Sequence, residues 1–350
     1  MTDASAIPAF KPLRMGPITL HAPMMQAGLA GYSDRAMRVV ARRRGCPYAV
    51  TEAVLDQTLL AGGKGLKQSI DIDDDDHPVA GQIMGSDPAE MAAAAKIMAD
   101  HGYDVVDLNF ACPVKKVKRR ARGGWMLADV DRGLAILRGV RDALPDHPLS
   151  VSLRRGFDDS GESEDRFWTL AHAARELGLV AMRVHGRTVE QKYTGRSRRP
   201  FLGSVKQTFP DWIVWGSGDV FEPEDVVDML RETGVDGVWI ARGAIGNPWI
   251  FRDARKLLAG EIISPPTIAK QRNALDEHFA LAMDIHGEQL AGRRMRKLGI
   301  KYARFHPDAA DVKKRFIATK CLADWSAVLA DFYDRDGPGV RPPREIVDEV

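Results

Sequence analysis

"VAGQIMGSDPAEMAAAAKIMADHGYDVVDLNF", residues 79–110, decides the fold class. Its ends are short apolar runs that do not alternate with polar residues, the pattern of strands covered on both faces. Between them, Asp87 before Pro88 is an N-cap followed by proline at the first helical position. Gly102 after His101 is a C-terminal stop. The stretch predicts strand, helix over 87–101, strand. The same rhythm recurs outward in "PMMQA" (23–27), "YAVTE" (48–52), "SVSLR" (150–154), "VAMRVHG" (180–186), "IVWGSG" (213–218) and "GVWIAR" (237–242). Amphipathic stretches at 131–144 and 162–176 fill two of the gaps. Eight such units over roughly 240 residues predict an α/β fold of the (β/α)8 TIM-barrel type. A doubly wound sheet needs an early GxGxxG turn, and the sequence has none there.

After about residue 259 the strand-like runs stop. "GEIISPPTIAK" reads as a linker, and "QRNALDEHFALAMDIHG" and "GRRMRKLGIKYARF" have helical periodicity. The chain therefore divides into a barrel, 1–259, and a C-terminal helical domain, 260–350. With 350 residues, 45% of them hydrophobic, it can bury a large core. A net charge of +2 from 50 basic and 48 acidic residues says less than their placement. Cys46, Cys112 and Cys321 are far apart and odd in number, which argues against a disulfide framework or a CxxC metal pair. No signal-peptide core and no run near ~20 apolar residues is evident. The expectation is a soluble, cytoplasmic monomer without a metal or a membrane anchor. The acidic run "DIDDDDH" (71–77) reads as a solvated loop, with carboxylate metal binding as the lesser alternative.

In such a barrel the chemistry lies at the carboxyl ends of the strands. There the sequence offers Met24 and Met25, Gln82, Asn109 with Cys112 beyond it, Ser152 and Arg154, His185-Gly186-Arg187, "GSGDV" (216–220) and "ARGAIGNP" (241–248). Glycines after the last two strands serve either as tight turns or as a backbone cradle for a phosphate. Cys112 is either a small buried hydrophobe or a catalytic thiol. Near its reference pKa of about 8.5 a thiol is protonated at neutral pH and can act as an acid. Basic residues cluster at Lys115, Lys116, Lys118, Arg119, Arg120 and Arg122, and again at Arg293, Arg294, Arg296, Lys297, Lys301 and Arg304. They are either solvated faces or a surface for a polyanion. Trp125, Tyr193 and Trp325 are packing residues or stacking platforms for bases.

"APMMQAGLAGYSD", "GQIMGSD", "DLNFACPVKKV", "VHGRTVEQKYTG", "GSGD" and "ARGAIGNPWIF", in that order over about residues 15–255, resemble the tRNA-dihydrouridine synthase family. The resemblance implies an FMN-binding barrel with a helical RNA-binding domain. The implied reaction reduces the C5–C6 double bond of a uridine in tRNA, with NADPH as electron donor. It implies flavin contacts from Pro23, Met24, Met25, Gln82, Asn109, Ser152, Arg154, His185, Ser217, Gly218, Asp219, Ala241 and Arg242, and makes Cys112 the proton donor. Lys115, Lys116, Lys118, Arg119, Arg120, Arg187, Arg293, Arg294, Arg296, Lys297 and Lys301 would hold tRNA. One position departs: the family has Val-Lys-x-Arg on the fifth strand, whereas this chain has Val151-Ser152-Leu153-Arg154. That leaves two further readings, a flavin-binding RNA-binding protein with lost or altered reductase chemistry and a small-molecule flavin oxidoreductase.

Overall fold

A computed structural model describes residues 10–63, 66, 70–114 and 120–343. Strands β3 (Met24–Gln26), β4 (Ala49–Val50), β6 (Val79–Met84), β7 (Val105–Phe110), β8 (Leu149–Arg154), β9 (Ala181–His185), β10 (Ile213–Ser217) and β11 (Gly237–Ile240) are parallel neighbours. β11 pairs with β3, and β4 pairs with β6, so the sheet closes into a barrel. The expected (β/α)8 architecture is present. A short extra strand, β5 (Val54–Leu55), pairs with the end of β6.

An antiparallel hairpin ahead of the barrel, β1 (Leu13–Met15) and β2 (Ile18–Leu20), is not announced by the sequence pattern. Gly16 turns it with φ +60°. Met15 and Leu20 are buried with Met25, Tyr48, Val105, Ala181 and Trp215. Val105 and Ala181 begin their strands, so the hairpin plugs the amino end of the barrel. The lumen is thus packed below, and the opposite end is free for chemistry.

Helices cover the outside: α1 (Arg35–Arg42), α2 (Asp56–Ala61), α3 (Pro88–Asp100), α4 (Val130–Ala143), α5 (Gly161–Glu176), α6 (Arg199–Thr208), α7 (Pro223–Thr233) and α8 (Trp249–Leu258). Asp87 caps α3 by accepting from the amides of Ala89 and Glu90, both at 2.9 Å. The helix buries Met91, Ala94, Ala95 and Met98, an i, i+3, i+4, i+7 face. Each such methionine contributes about 1.5–3 kcal/mol through removal from water.

Four helices follow: α9 (Ile268–His286), α10 (Glu288–Tyr302), α11 (Ala309–Ala318) and α12 (Leu322–Tyr333). Gly299 on α10 admits the Phe316 ring, which a Cβ would meet at 2.6 Å. Trp325 is buried against Phe279 and Phe316, with ring centroids 4.9 and 5.0 Å away, so it packs a core and does not stack on bases. Among the described residues no helix is long and apolar enough to cross a membrane.

The acidic run is not simply a solvated loop. Arg35 bonds Asp71 at 2.6 Å and Asp73 at 2.9 Å, Arg43 pairs with Asp75 at 2.9 Å, and Arg38 pairs with the fully buried Asp76. α1 and the turn after it also reach α9: Arg35 to Asp284 at 3.0 Å, and Arg43 and Arg44 to Glu277 at 2.7 Å each. The arginines of 35–44 thus join the acidic run, the barrel and the helical region.

Candidate active site

Strand alternation carries Asp107 and Asn109 of β7 to the same side, beside Gln82 of β6. Asn109 Nδ2 donates to Gln82 Oε1 at 2.8 Å, and Gln82 Nε2 donates to Asp107 Oδ2 at 2.7 Å. Asp107 Oδ1 accepts from Ser150 Oγ at 2.9 Å and is ion-paired with the fully buried Arg183. At the other end of this row, Asn109 Oδ1 accepts from the amides of Ala111 (3.1 Å) and Cys112 (3.0 Å). That pair of bonds turns the backbone after β7 and fixes Cys112, which remains partly exposed.

Burial pushes the Cys112 thiol above its ordinary 9.0, against smaller opposing effects from the Val114 amide and the Arg154 charge. The sulfur therefore carries its proton at neutral pH, the state a proton donor requires. Arg154 spends Nε on Ala111 O at 2.8 Å, and Nη1 on Thr188 O (2.8 Å) and Lys192 O (2.7 Å). It ties the cysteine loop to the loop after β9. Ser152 is buried and donates to Leu108 O at 3.4 Å, so this position adds no charge.

His185 Nδ1 accepts from the Arg187 amide at 3.1 Å, which leaves the proton on Nε2. Burial first, then the charges of Arg154, Arg187 and Arg242, hold its pKa well below the ordinary value, so the ring is neutral. His185, Ser217, Gly218, Asp219, Ala241 and Arg242 gather with Val220, Phe221 and Trp239 around one small cavity. Gly218 has φ +122°, and a Cβ there would lie 2.1 Å from Ser197 Oγ. Asp219 follows at φ +55°, its carboxylate bound by the Ser197 amide at 2.7 Å and by Arg187 at 2.6 Å. Arg242 stands at the rim over the rings of Phe221 (4.8 Å) and Tyr193 (5.5 Å).

The expectations for the first strand narrow. Pro23 lies before β3, and its carbonyl accepts from the Val238 amide at 2.8 Å. Met24 and Met25 pair in register with Val238 and Trp239. Met25 fills the lumen at the level of Trp239, which lines the cavity, whereas the Met24 side chain packs outward toward the helices. Beyond β3, a Cβ on Gly28 would lie 2.1 Å from Thr51 O and 3.4 Å from Gln82 Oε1, so this loop closes tightly on the amide row.

One expectation for RNA contacts needs correction, and a second residue has a structural partner as well. Arg187 is fully buried and clamps Gly195 O and Asp219, so it is no surface contact for RNA. Arg294 is half-buried and bonds Asp34 at 3.1 Å beside His286, tethering α10 to the loop after β3.

On α10, Arg293, Arg296, Lys297 and Lys301 are exposed. Lys297 lies 5.8 Å from the Tyr32 ring, and Lys301 lies against Gly246. Both neighbours belong to loops at the carboxyl ends of strands, so a basic ridge flanks the mouth. Arg120 is exposed; Lys115, Lys116, Lys118 and Arg119 lie outside the described residues. Sequence reasoning missed Asp107 and Arg183, although each is a charge inside an otherwise apolar strand.

A neutral His185, amide donors from Gln82 and Asn109 and a glycine cradle suit a planar, acceptor-rich ring carrying a phosphate. The buried indole nitrogen of Trp239, which has no hydrogen-bond partner among the described residues, fits the same kind of ligand. The barrel and its site therefore define a cofactor-dependent enzyme with a protonated thiol at the mouth. Solved structures of similar fold include a 2-naphthoyl-CoA reductase (TM-score 0.54, 14% identity, 72% of this chain and 52% of that one). A histamine dehydrogenase from Rhizobium sp. 4-9 gives TM-score 0.52 at 13% identity, over 78% of this chain and 51% of that one. This chain spans about half the length of both, and at that identity the likeness concerns the fold alone.

The dihydrouridine synthase family model matches residues 22–331, and the chain belongs to that family. It is a flavin-dependent oxidoreductase. A tRNA-dihydrouridine synthase B of Xanthomonas campestris is 31% identical over 95% of this chain and 98% of that protein. A probable tRNA-dihydrouridine synthase of Treponema pallidum is 32% identical over 92% and 96%, and a tRNA-dihydrouridine synthase B of Pseudomonas aeruginosa is 33% identical over 87% and 90%.

Proposed function

We propose that the chain is a tRNA-dihydrouridine synthase that binds FMN, is reduced by NADPH and converts uridines in tRNA to dihydrouridine. The observation that carries this reading is Cys112, a protonated thiol whose backbone amide Asn109 holds just beyond the carboxyl end of β7. FMN, when bound, supplies the hydride for C6 of the uridine. Gln82, Asn109 and His185 would hold its ring, and the backbone amides of Gly218 and Asp219 with the Arg242 guanidinium its phosphate. Cys112 Sγ gives its proton to C5, which is general acid catalysis worth about 10²–10⁴ in rate.

The target base has to leave its stack, at a cost of a few kcal/mol. Arg293, Arg296, Lys297 and Lys301 offset that cost by neutralising phosphates beside the mouth. The division of labour follows the chain: residues 1–259 carry the cofactor and the thiol, and 260–350 orient the RNA. Incubating the protein with FMN, NADPH and unmodified tRNA should yield dihydrouridine. Bound tRNA without dihydrouridine would favour an RNA-binding flavoprotein, and turnover of small enones with salt-independent, weak tRNA binding a small-molecule reductase.

A further inference from the structure

We propose that Arg183 is a positioning residue that sets the hydrogen-bond polarity of the cofactor site through Asp107. The inference rests on the flavin reading above and adds to it a residue and a mechanism. Arg183 lies on β9, directly opposite Ser152 of β8 in register and two residues before His185. Its side chain is fully buried. One Nη atom pairs with Asp107 and bonds Ser150 Oγ at 3.3 Å, while the guanidinium lies 5.6 Å from the centroid of Trp239. Trp239 in turn lines the cavity with His185 and Gly218. Arg183 therefore sits one layer beneath the site, with Tyr48 as its other neighbour.

The consequence follows from donor and acceptor chemistry. A carboxylate ion only accepts. Held ionised by Arg183 and Ser150, Asp107 requires the NH2 group of Gln82, not its carbonyl. The Gln82 carbonyl then faces Asn109 and requires the NH2 group there. The Asn109 carbonyl is left for the amides of Ala111 and Cys112. One buried charge thus fixes two amides that would otherwise be free to turn over, and it fixes the cysteine loop with them. Each amide keeps one unspent N–H, so the site offers donors and favours carbonyl oxygens or unprotonated ring nitrogens on its ligand. Without the Arg183 charge, Asp107 loses its buried ion-pair partner, Gln82 can reverse, and the site becomes mixed in polarity.

The test compares Arg183→Met, Arg183→Lys, Asp107→Asn and the double variant Arg183→Met/Asp107→Asn with the wild-type holoprotein. FMN affinity is read by fluorescence quenching, the bound flavin by its absorption spectrum and midpoint potential, and folding by circular dichroism. Arg183→Met and Asp107→Asn should each weaken FMN about tenfold or more, the loss of one well-placed bond to a charged group. Both should shift the flavin spectrum in the same direction. Arg183→Lys, which keeps the charge, should recover most of the wild-type spectrum. The double variant should be no weaker than the worse single one, because both act through Gln82. Asp107→Asn, isosteric and uncharged, carries the comparison if Arg183→Met does not fold. A folded Arg183→Met with wild-type affinity and spectrum would overturn the proposal. So would losses that add in the double variant without any spectral shift, since they would mark packing alone. A wild-type protein that takes up no FMN fails the underlying reading before any variant is compared.

Discussion

Cys112 is useful as an acid because its surroundings keep the proton on sulfur. Burial raises its pKa above 9.0, so the protonated fraction is full at neutral pH and is lost only as pH rises past that value. The rate of base reduction should therefore be level between about pH 6 and 8, with an alkaline limb above 9. A pH–rate profile that falls between 6 and 8 would contradict this. Cys112→Ala should keep its flavin spectrum and lose about 10²–10⁴ in turnover. These residues are legible because Asn109, Cys112, His185 and Gly218 stand in short motifs at strand ends. Arg183 and Asp107 are not, because their roles depend on neighbours from other strands. The outward Met24 side chain is not legible either, because an apolar run announces a strand without saying which face each residue takes.

At the scale of elements, α10 carries exposed basic residues at the i, i+4, i+8 positions 293, 297 and 301. Charge reversal at two of them, Arg293→Glu with Lys297→Glu, should weaken tRNA binding and reduce the salt slope by about 1 per lost phosphate contact. FMN affinity should not change; binding titrations across a salt series check both. The acidic run makes a different prediction. Arg38 and Asp76 are both buried, and removing one partner strands the other's charge. Asp76→Ala should cost about 3–5 kcal/mol, read as a lowered denaturation midpoint. Helices 87–101, 131–144 and 162–176 fall within a residue of their observed bounds because caps and periodicity agree there. The β1–β2 hairpin escapes notice because its three-residue strands have no periodicity to read. The acidic run shows in sequence only as local charge, since its partners lie on α1 and the ion pairs are tertiary.

Across the whole molecule, one buried titratable group inside the helical region couples stability to pH: His278 of α9, packed beside Tyr302 of α10. Burial, with a smaller effect from Arg44, pushes its pKa down to about 4 against Asp34's opposing pull. Unfolded, the same histidine titrates near 6.5. Between those values the unfolded chain binds more protons, so stability is full above 6.5 and falls as pH drops toward 4. The loss is on the order of 3 kcal/mol. Thermal unfolding between pH 7 and 4 should show it, and His278→Gln should flatten it. Barrel class and the helical C-terminal region are visible in the sequence because strand spacing and the break near residue 260 are properties of the chain. Their docking is not, because it rests on pairs such as Arg43–Glu277, more than 200 residues apart.

The central claim is that the Cys112 proton and the flavin hydride reach one base at the barrel mouth. Anaerobic mixing of NADPH-reduced protein with unmodified tRNA tests it most directly, with flavin absorbance and dihydrouridine followed together. Flavin should reoxidise as dihydrouridine forms, one for one, and in Cys112→Ala this step should slow by about 10²–10⁴ while reduction by NADPH keeps its rate. Equally fast reoxidation by tRNA in that variant, or reoxidation without dihydrouridine, would contradict the account.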